Sequence, residues 1–332
     1  MSPDRATQEA PPAPDWRPTA AAEALQRRAR LLARVRAFFA ERGVLEVETP
    51  ILSAAGISDP QIESLTTRIA GFATPHYLST SPEYAMKRLL AAGSGDIYQV
   101  AKVFRDGERG RWHNPEFTML EWYRLQFDDH ALMNEVEELV GLLLAPERRL
   151  EPAERLSYAD ALRRHADVDA HRDDAQALAA AAAAKGIVCD AALDRDARLD
   201  LLMGMVVGPQ LGRDRPCFIC DYPASQASLA RLKPGEPKVA ARFEFYLDGI
   251  ELANGFHELC NPLEQAARFT ADLALRRVRG QVEPRTDQRL LAALAAGLPD
   301  CAGVALGFDR LAAIAQGARS LREAMAFSID NA

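Results

Sequence analysis

Alternating apolar and polar residues predict a β-hairpin in the first half of the chain. Ile97–Val103 alternates with the period of two that is typical of a strand. A polar segment that contains Gly107 and Gly110 interrupts the pattern, which returns over Phe117–Tyr123. Two such runs around a polar segment with glycines indicate a strand, a long loop and a second strand.

Helical spacing of apolar residues predicts a long first helix from near Ala20, which Gly43 would end. Other helical patterns cover Tyr84–Ala92, Ala175–Gly186 and Asp309–Ile314. Further strands are predicted, in chain order, over residues 44–47, 62–70, 76–80, 216–222, 242–247, 250–253 and 303–307. Because the strands do not alternate regularly with helices, the pattern predicts an α+β fold.

The loop of the first hairpin carries many side chains that can bind anions. Its donors suit phosphate oxygens, and two aromatic rings are flat surfaces on which a base can stack. The donors are Arg105, Arg109, Arg111, His113 and Asn114, and the rings are Trp112 and Phe117. The returning strand would place Glu121 and Tyr123 on one face. The hairpin therefore predicts a site for a nucleotide and an amine; the alternative is an ordinary solvated loop.

A second predicted hairpin carries two glutamates that point to a bound cation. Asp248-Gly249 is a strong two-residue turn signal, so Glu244 and Glu251 would face each other on the paired strands. Paired carboxylates without a basic partner are costly unless a cation joins them. Oxygen ligands together with phosphates suit Mg²⁺. The alternative is a solvated pair of carboxylates at a sheet edge.

Composition and charge narrow the classes of function. With 332 residues, 48% of them hydrophobic, the chain can fill a large core. A formal net charge of −7 argues weakly against nucleic acid as the main partner. Cys217 and Cys220 lie in a strand pattern that points them to opposite faces, so we expect no zinc site there. No signal sequence and no membrane span is predicted, and we expect a protein of the reducing cytoplasm.

Four segments resemble the motifs of one enzyme family, in the order in which that family carries them. ARVRAFFAERGVLEVETPIL (Ala33–Leu52) resembles motif 1 of the class II aminoacyl-tRNA synthetases, HNPEFTMLEWYR (His113–Arg124) resembles motif 2, and GVALGFDRL (Gly303–Leu311) resembles motif 3. RFEFYLDGIELANGFHEL (Arg242–Leu259) is similar to the lysyl branch. The resemblance implies the class II catalytic fold, which is an antiparallel β-sheet flanked by helices.

The resemblance is narrower within the lysyl branch. SPEYAMKRLL, PASQASLA and GIELANGFHEL resemble the lysyl-tRNA-synthetase paralogues that modify elongation factor P. This implies activation of (R)-β-lysine by ATP as an adenylate, and transfer to a lysine side chain of elongation factor P. It also implies a homodimer, because motif 1 builds the subunit interface in this class. Two alternatives stay open: a truncated lysyl-tRNA synthetase that charges tRNA, and a catalytically inactive synthetase-like regulator.

The domain prediction combines composition with this resemblance. Residues 1–18 are rich in Pro and Ala and predict a disordered tail. A catalytic domain is predicted over residues 19–332, with a helical insertion at about 128–208. A bacterial lysyl-tRNA synthetase carries an anticodon-binding OB-fold before motif 1, and the short tail leaves no room for one. We therefore do not expect tRNA as the acceptor.

The resemblance also implies roles for single residues on the ATP side. Arg105 would hold the α-phosphate and Arg310 the far phosphates, and these two are the predicted catalytic residues. Adenine would lie between Phe117 and Arg310. The other predicted ATP-binding residues are Asp106, Gly107, His113, Asn114, Glu251, Leu252 and Gly307. The family pattern has Glu where this chain has Gly107, so Asp106 or Glu108 is expected to replace that contact.

On the amino-acid side, several carboxylates around one cavity would favour a diamino acid by charge. The predicted substrate-binding residues are Ser81, Pro82, Glu83, Glu121, Tyr123, Asn254, Glu258 and Ala305. Ala305 stands where lysyl-tRNA synthetases carry Gly. Its methyl group fits a β-amino acid, whose amine lies one carbon further from the carboxylate.

Overall fold

The computed structural model describes residues 16–332, so most of the tail predicted at 1–18 lies outside the described residues. The helices of the described part are α1 (Ala22–Glu41), α2 (Glu83–Ala91), α3 (Asp129–Leu144), α4 (Tyr158–Ala166), α5 (Ala175–Ala184), α6 (Arg195–Leu202), α7 (Pro262–Val278), α8 (Gln288–Gly297) and α9 (Phe308–Ala315). Its strands are β1 (Leu45–Glu46), β2 (Leu52–Ser53), β3 (Thr66–Thr67), β4 (His76–Leu78), β5 (Ile97–Phe104), β6 (Glu116–Leu125), β7 (Glu154–Ser157), β8 (Cys217–Pro223), β9 (Val239–Leu247), β10 (Ile250–His257) and β11 (Cys301–Gly307). Within these residues, no helix is both long and apolar enough to cross a membrane.

The main sheet has eight strands in the order β1-β5-β6-β11-β10-β9-β8-β7. The α+β prediction is confirmed. Antiparallel pairing holds for the six central strands, whereas β1 and β7 pair in parallel with β5 and β8 at the two edges. Parallel neighbours need a long crossover, and α4, α5 and α6 provide it between β7 and β8.

The two faces of the sheet have different roles. On one face, α1, α3 and α9 bury a large apolar core around Trp122, which is fully buried. The next residue along β6, Tyr123, points to the other face and packs with Met86 of α2 and Leu290 of α8. Because side chains alternate along a strand, the polar residues Glu121 and Tyr123 share this second face. The apolar core around Trp122 therefore lies on one face of the sheet, and the polar side chains of Glu121 and Tyr123 lie on the other.

A smaller sheet, β2-β4-β3, contains parts of two predicted strands. The strand predicted over residues 62–70 is much shorter, because only Thr66 and Thr67 pair with β4. Glu63 instead bridges to Asp106 in the first hairpin loop. The predicted extent was wrong because the chain leaves the small sheet on both sides to reach other partners.

The region predicted as an insertion, at about 128–208, contains two kinds of structure. α3 belongs to the main core through residues such as Val136, and β7 extends the main sheet. α4, α5 and α6 bury a separate apolar cluster that includes Leu162, Leu178 and Leu199. The boundaries of an insertion therefore stay a prediction, with the separate cluster as its structural counterpart.

Candidate active site

The second hairpin places two glutamates on one face by means of a β-bulge. Its turn residues Asp248 and Gly249 have φ angles of 56° and 76°, as the sequence signal requires. The register shifts between Glu251 and Ala253, so that Glu251 lies opposite Tyr246 while Asn254 lies opposite Glu244. Residues 251 and 254 would point to opposite faces of a regular strand. The bulge brings both to the polar face.

This register creates a row of side chains across five strands. Directly paired residues on neighbouring strands share a face. The pairs Gln99–Glu121, Glu121–Ala305, Ala305–Asn254 and Asn254–Glu244 run through β5, β6, β11, β10 and β9. We call these five residues the cross-strand row. It joins predicted substrate residues to a predicted metal ligand, and Gln99 is a member that the sequence interpretation missed.

Glu121 lies at the centre of a polar network in this row. The Tyr123 hydroxyl donates to Oε1 of Glu121 and the Ser81 hydroxyl donates to Oε2, each at 2.7 Å. Ser81 Oγ also accepts from the Glu83 amide at 3.0 Å, which ties the start of α2 to β6. Pro82 is the residue just before α2 and holds this turn. Burial raises the pKa of Glu121 to about 7, and the nearby Glu83 carboxylate adds to the rise.

Glu258 and Glu83 both form ion pairs with Lys87, a residue that the sequence interpretation missed. Lys87 is only 2% exposed, and its Nζ lies 2.7 Å from Glu83 Oε1 and 2.6 Å from Glu258 Oε2. Burial raises the pKa of Glu258 to about 8, against the opposing attraction of Lys87. The signal for Lys87 was its spacing of four from Glu83 on the apolar side of a helix, beside Met86 and Leu90.

Gly303 leaves room for the side chains in this pocket. Gly303 lies on β11 and is paired with Tyr123 of β6. A Cβ at position 303 would come within 2.2 Å of the Tyr123 ring and 2.6 Å of Glu258 Oε1. Any side chain here would push into both groups. We call Glu83, Glu121 and Glu258 the carboxylate cluster; Gly303 forms its floor.

The ATP-side prediction centres on Arg310, in the first turn of α9. Its Nε donates to the Trp112 carbonyl at 3.0 Å and its Nη1 donates to the Glu251 carbonyl at 2.9 Å. Nη2 lies 2.8 Å from His113 Nε2, so the arginine donates and this nitrogen accepts. Burial and the Arg310 cation lower the pKa of His113, which keeps the imidazole neutral. Arg310 therefore links the hairpin loop to β10.

Arg105 lies at the start of the same loop. Its Nε donates to the Thr80 carbonyl at 3.3 Å, and its Nη1 lies 3.5 Å from Glu108. The guanidinium is 5.3 Å from the centre of the Phe117 ring. Arg105 and Phe117 are thus neighbours, with Glu108, one residue after Gly107, as the carboxylate closest to the arginine.

Not all of the predicted loop donors turn toward this site. Arg109 pairs with Asp330, and Arg111 donates to the Arg319 carbonyl, so both contact the C-terminal segment, residues 319–332. Both side chains have partners within the chain, and their contact with phosphate stays a prediction. Two arginines that could also bind anions therefore connect the loop to the C-terminal segment.

Asn114 and Trp112 also make contacts within the chain. Asn114 Oδ1 accepts from the Ile329 amide at 3.0 Å, and its Nδ2 donates to the Glu116 carbonyl at 2.6 Å. The ring of Trp112 packs against the apolar cluster around Leu321, and its role as a stacking surface for a base stays a prediction. The Asn114 amide is occupied as well, so a role of Asn114 in ATP binding stays a prediction.

The remaining predicted ATP residues surround Arg310 and the loop. Leu252 is buried beneath the bulge, and Gly307 precedes α9, where a Cβ would lie 3.7 Å from Arg310 Cδ. Asp106 accepts from the Gly107 amide at 2.8 Å, and both residues are exposed. Gly107 has a φ of 75°, a conformation that suits glycine better than the Glu of the family pattern.

The two predicted metal ligands differ in their partners. Glu244 accepts from Arg242 Nη2 at 2.6 Å and from the Tyr246 hydroxyl at 2.7 Å. The expectation that the pair lacks a basic partner is therefore wrong. Burial and the neighbouring Glu244 carboxylate raise the pKa of Glu251 to about 7. In residues 16–332 no group of three or more metal-binding side chains occurs, so a cation here would take its other ligands from phosphates and water.

The arrangement of strands and polar side chains agrees with the similarity of this chain to known proteins. A sequence model of the "tRNA synthetases class II (D, K and N)" matches residues 9–331. The chain belongs to the class II tRNA synthetase family. The expected membership is thus confirmed, and the cross-strand row lies on a class II sheet.

Two proteins that share one name are similar to this chain over nearly its whole length. A protein of Salmonella dublin named "Elongation factor P--(R)-beta-lysine ligase" is 50% identical over 323 residues, which span 96% of this chain and 98% of the relative. A protein of the same name from Vibrio cholerae is 49% identical over 327 residues, spanning 96% and 99%. The predicted similarity to proteins that modify elongation factor P is confirmed.

Proposed function

We propose that this protein is an ATP-dependent ligase that activates (R)-β-lysine as an adenylate and transfers it to a lysine side chain of elongation factor P. The observation that carries the proposal is the excess of negative charge beside the predicted ATP side. The carboxylate cluster contains three acids and Lys87 neutralises one of them. A diamino acid supplies two ammonium groups for the other two. The names of the two relatives support the same substrate and acceptor.

In the first step the substrate carboxylate attacks the α-phosphorus of ATP. The new bond joins the acyl oxygen to this phosphorus, and the bond to the departing pyrophosphate breaks. Arg105 is placed to hold the α-phosphate, and Arg310 to hold the charge of the leaving group. Mg²⁺ on Glu251 and Glu244 would supply further positive charge to the phosphates. His113 stays neutral beside Arg310, so it adds a hydrogen bond without weakening the arginine's field.

In the second step the free amine of the acceptor lysine attacks the acyl carbon. An amide bond forms, the bond between the acyl carbon and the AMP oxygen breaks, and the proton that the amine nitrogen loses passes to the phosphate of the departing AMP. The substrate ammonium groups would stay on the carboxylate cluster, so the acyl carbon stays fixed while the acceptor approaches. This positioning is the main contribution that a protein makes to such a transfer.

The cross-strand row also supports a β-amino acid. Ala305 lies between Glu121 and Asn254 on the polar face. Its methyl group occupies the space above the centre of the row. We infer that it displaces an amine from the α-position and favours one that is a carbon further along.

The quaternary structure and location are further parts of this proposal. Exposed apolar residues of the motif 1 region, Leu45, Ile51 and Leu52, offer a surface for a second subunit. We infer a homodimer, which sedimentation of the purified protein would measure. We also infer a cytoplasmic location, since all five cysteines are free.

The direct test supplies both candidate acceptors in parallel. The protein is mixed with ATP, Mg²⁺ and (R)-β-lysine, together with either elongation factor P or lysine-accepting tRNA. The proposal expects a mass gain of one lysyl unit on elongation factor P and no charging of tRNA. Charging of tRNA alone would identify a minimal synthetase. Absence of pyrophosphate exchange with every diamino acid would identify an inactive regulator.

A further inference from the structure

Lys87 is a buried cation that takes part in neither step of the proposed chemistry. It lies on α2 between Met86 and Leu90, and among the described residues its ammonium pairs with the carboxylates of Glu83 and Glu258. An isolated charge at such a position would be very costly, and paired carboxylates offset that cost. Burial lowers the pKa of Lys87, but the two carboxylates outweigh it and raise the pKa above its usual range. Lys87 is therefore a permanent cation.

Lys87 also controls how Glu258 is presented. Its Nζ forms an ion pair with Oε2 of Glu258 at 2.6 Å, and neither oxygen of Glu258 has a hydrogen-bond partner among the described residues. The other oxygen, Oε1, lies above Gly303, where a Cβ would be only 2.6 Å away. One oxygen is thus fixed by the protein and the other faces the space left by the glycine.

Most other titratable groups beside the cluster are neutral, because burial raises the pKa of Tyr84, Tyr123, Cys260 and Cys301. Arg231 is the exception; it contacts the backbone carbonyl of Glu258 at 3.1 Å and pairs with Asp300. Once all three carboxylates of the cluster are ionised, the ammonium of Lys87 leaves two negative charges without a partner. Two is the number of ammonium groups on a diamino acid.

We propose that Lys87 determines the substrate specificity of the site. Its ammonium group takes the place of a third substrate ammonium group, so that the site favours substrates with two ammonium groups. This inference rests on the proposed function. Without Lys87 the ionised forms of Glu83 and Glu258 would lose their partner, so the empty cluster would hold more protons at a given pH than the wild-type cluster does. The substrate would have to displace these additional protons, at a cost in affinity.

Three variants change the charge of the cluster in a controlled way. Lys87→Met adds one negative charge, Glu83→Gln removes one, and the double variant K87M/E83Q restores the original count. We expect each single variant to raise KM for (R)-β-lysine at least about tenfold in pyrophosphate exchange at pH 7. The double variant is expected to have a lower KM than either single variant.

The readouts separate this role from a structural one. We expect kcat to change less than about threefold and KM for ATP less than about twofold, since the cluster binds substrate and not phosphates. The KM of Lys87→Met should fall more steeply than that of the wild type as pH rises from 7 to 9, since its additional protons then leave. Lys102→Met is the matched control, because Lys102 is an exposed lysine whose ion-pair partner among the described residues is Glu116.

Multiplicative effects of the two substitutions, with no recovery in the double variant, would overturn the proposal. So would an unchanged KM in Lys87→Met. If Lys87→Met alone does not fold, the double variant is compared with Glu83→Gln, and a KM for (R)-β-lysine that is not lower in the double variant overturns the proposal. Wild-type protein that activates no diamino acid would refute the proposed function itself, which is a different outcome from these.

Discussion

The two ends of the site are built in opposite ways. The amino-acid end is negative, lies on strands and α2, and is almost fully buried: Glu121, Glu258 and Lys87 are at most 2% exposed. The proposed ATP end is positive; Arg105 lies in the hairpin loop and Arg310 in the first turn of α9, and both are only half-buried. A diamino acid would therefore meet a buried pocket, whereas the triphosphate would meet more exposed side chains.

The difference also shows in how each end satisfies its charges. In the carboxylate cluster, Glu83 and Glu258 pair with Lys87, and Glu121 accepts hydrogen bonds from Ser81 and Tyr123. At the proposed ATP end, the partners of Arg310 within residues 16–332 are two carbonyls and the neutral His113, and its nearest carboxylate oxygen there, on Glu251, is 3.9 Å away. Its charge is therefore available for an anion. Because the two ends differ in charge and in burial, we expect substitutions at one end to leave ligand binding at the other nearly unchanged.

The largest effect is expected from Arg310→Ala. Loss of this donor removes charge stabilisation and frees the hairpin loop, so kcat/KM for pyrophosphate exchange should fall about 10³-fold. Binding of β-lysine, measured by calorimetry without ATP, should change less than about threefold. Arg68→Ala, at an exposed arginine, is the matched control. Equal losses of both ligands would show that the ends are not separate.

Glu258→Gln is the reciprocal change at the other end. It removes the carboxylate whose Oε1 faces the pocket, so KM for (R)-β-lysine should rise about 10- to 100-fold. KM for ATP should stay within about twofold of wild type. Glu116→Gln, on the exposed start of β6, provides the comparison. A large rise in KM for ATP instead would contradict the assignment of Glu258 to the amine.

A pH series should affect the two ends differently. The pKa values of Glu258 and Glu121 are raised to about 8 and about 7, so below these values the empty cluster holds extra protons. These protons must leave before ammonium groups bind. KM for the diamino acid should therefore fall as pH rises from 6 to about 8.5, at saturating Mg²⁺ and ATP. A KM that is flat or rises over this range would argue against the cluster as the amine site.

The smallest effect is expected from Ala305→Gly. Removal of one methyl group from the centre of the row should shift the preference between α-lysine and (R)-β-lysine toward α-lysine by about 3- to 30-fold. The ratio of kcat/KM values for the two substrates measures it, and KM for ATP serves as the internal control. No change in the ratio would mean that the β-preference is set elsewhere.

Sequence reasoning was most successful where a pattern has one physical meaning. The period of two over β5 and β6, and the turn at Asp248-Gly249, predicted both hairpins of the site. The bulge at Leu252 has no comparable signal, since it depends on the register between two strands. The placement of Glu251 and Asn254 on one face was therefore beyond the sequence alone.

Long-range partners were the other limit. Arg242 was not foreseen as the partner of Glu244, although the two residues are neighbours on one face of β9. Nothing local showed that Arg109 would meet Asp330, which is more than two hundred positions away. The sequence shows which kinds of group a charged side chain can bind. The fold determines which of those groups lies close enough to be its partner.

The central claim is that a buried excess of two negative charges selects a substrate with two amino groups. The most direct measurement compares pyrophosphate exchange of the wild-type protein with (R)-β-lysine and with two analogues, each lacking one of its amines. We predict that loss of either amine lowers kcat/KM at least about 100-fold, since each leaves a buried carboxylate unpaired. Similar rates with an analogue and with (R)-β-lysine would contradict the claim and move the origin of specificity away from the carboxylate cluster.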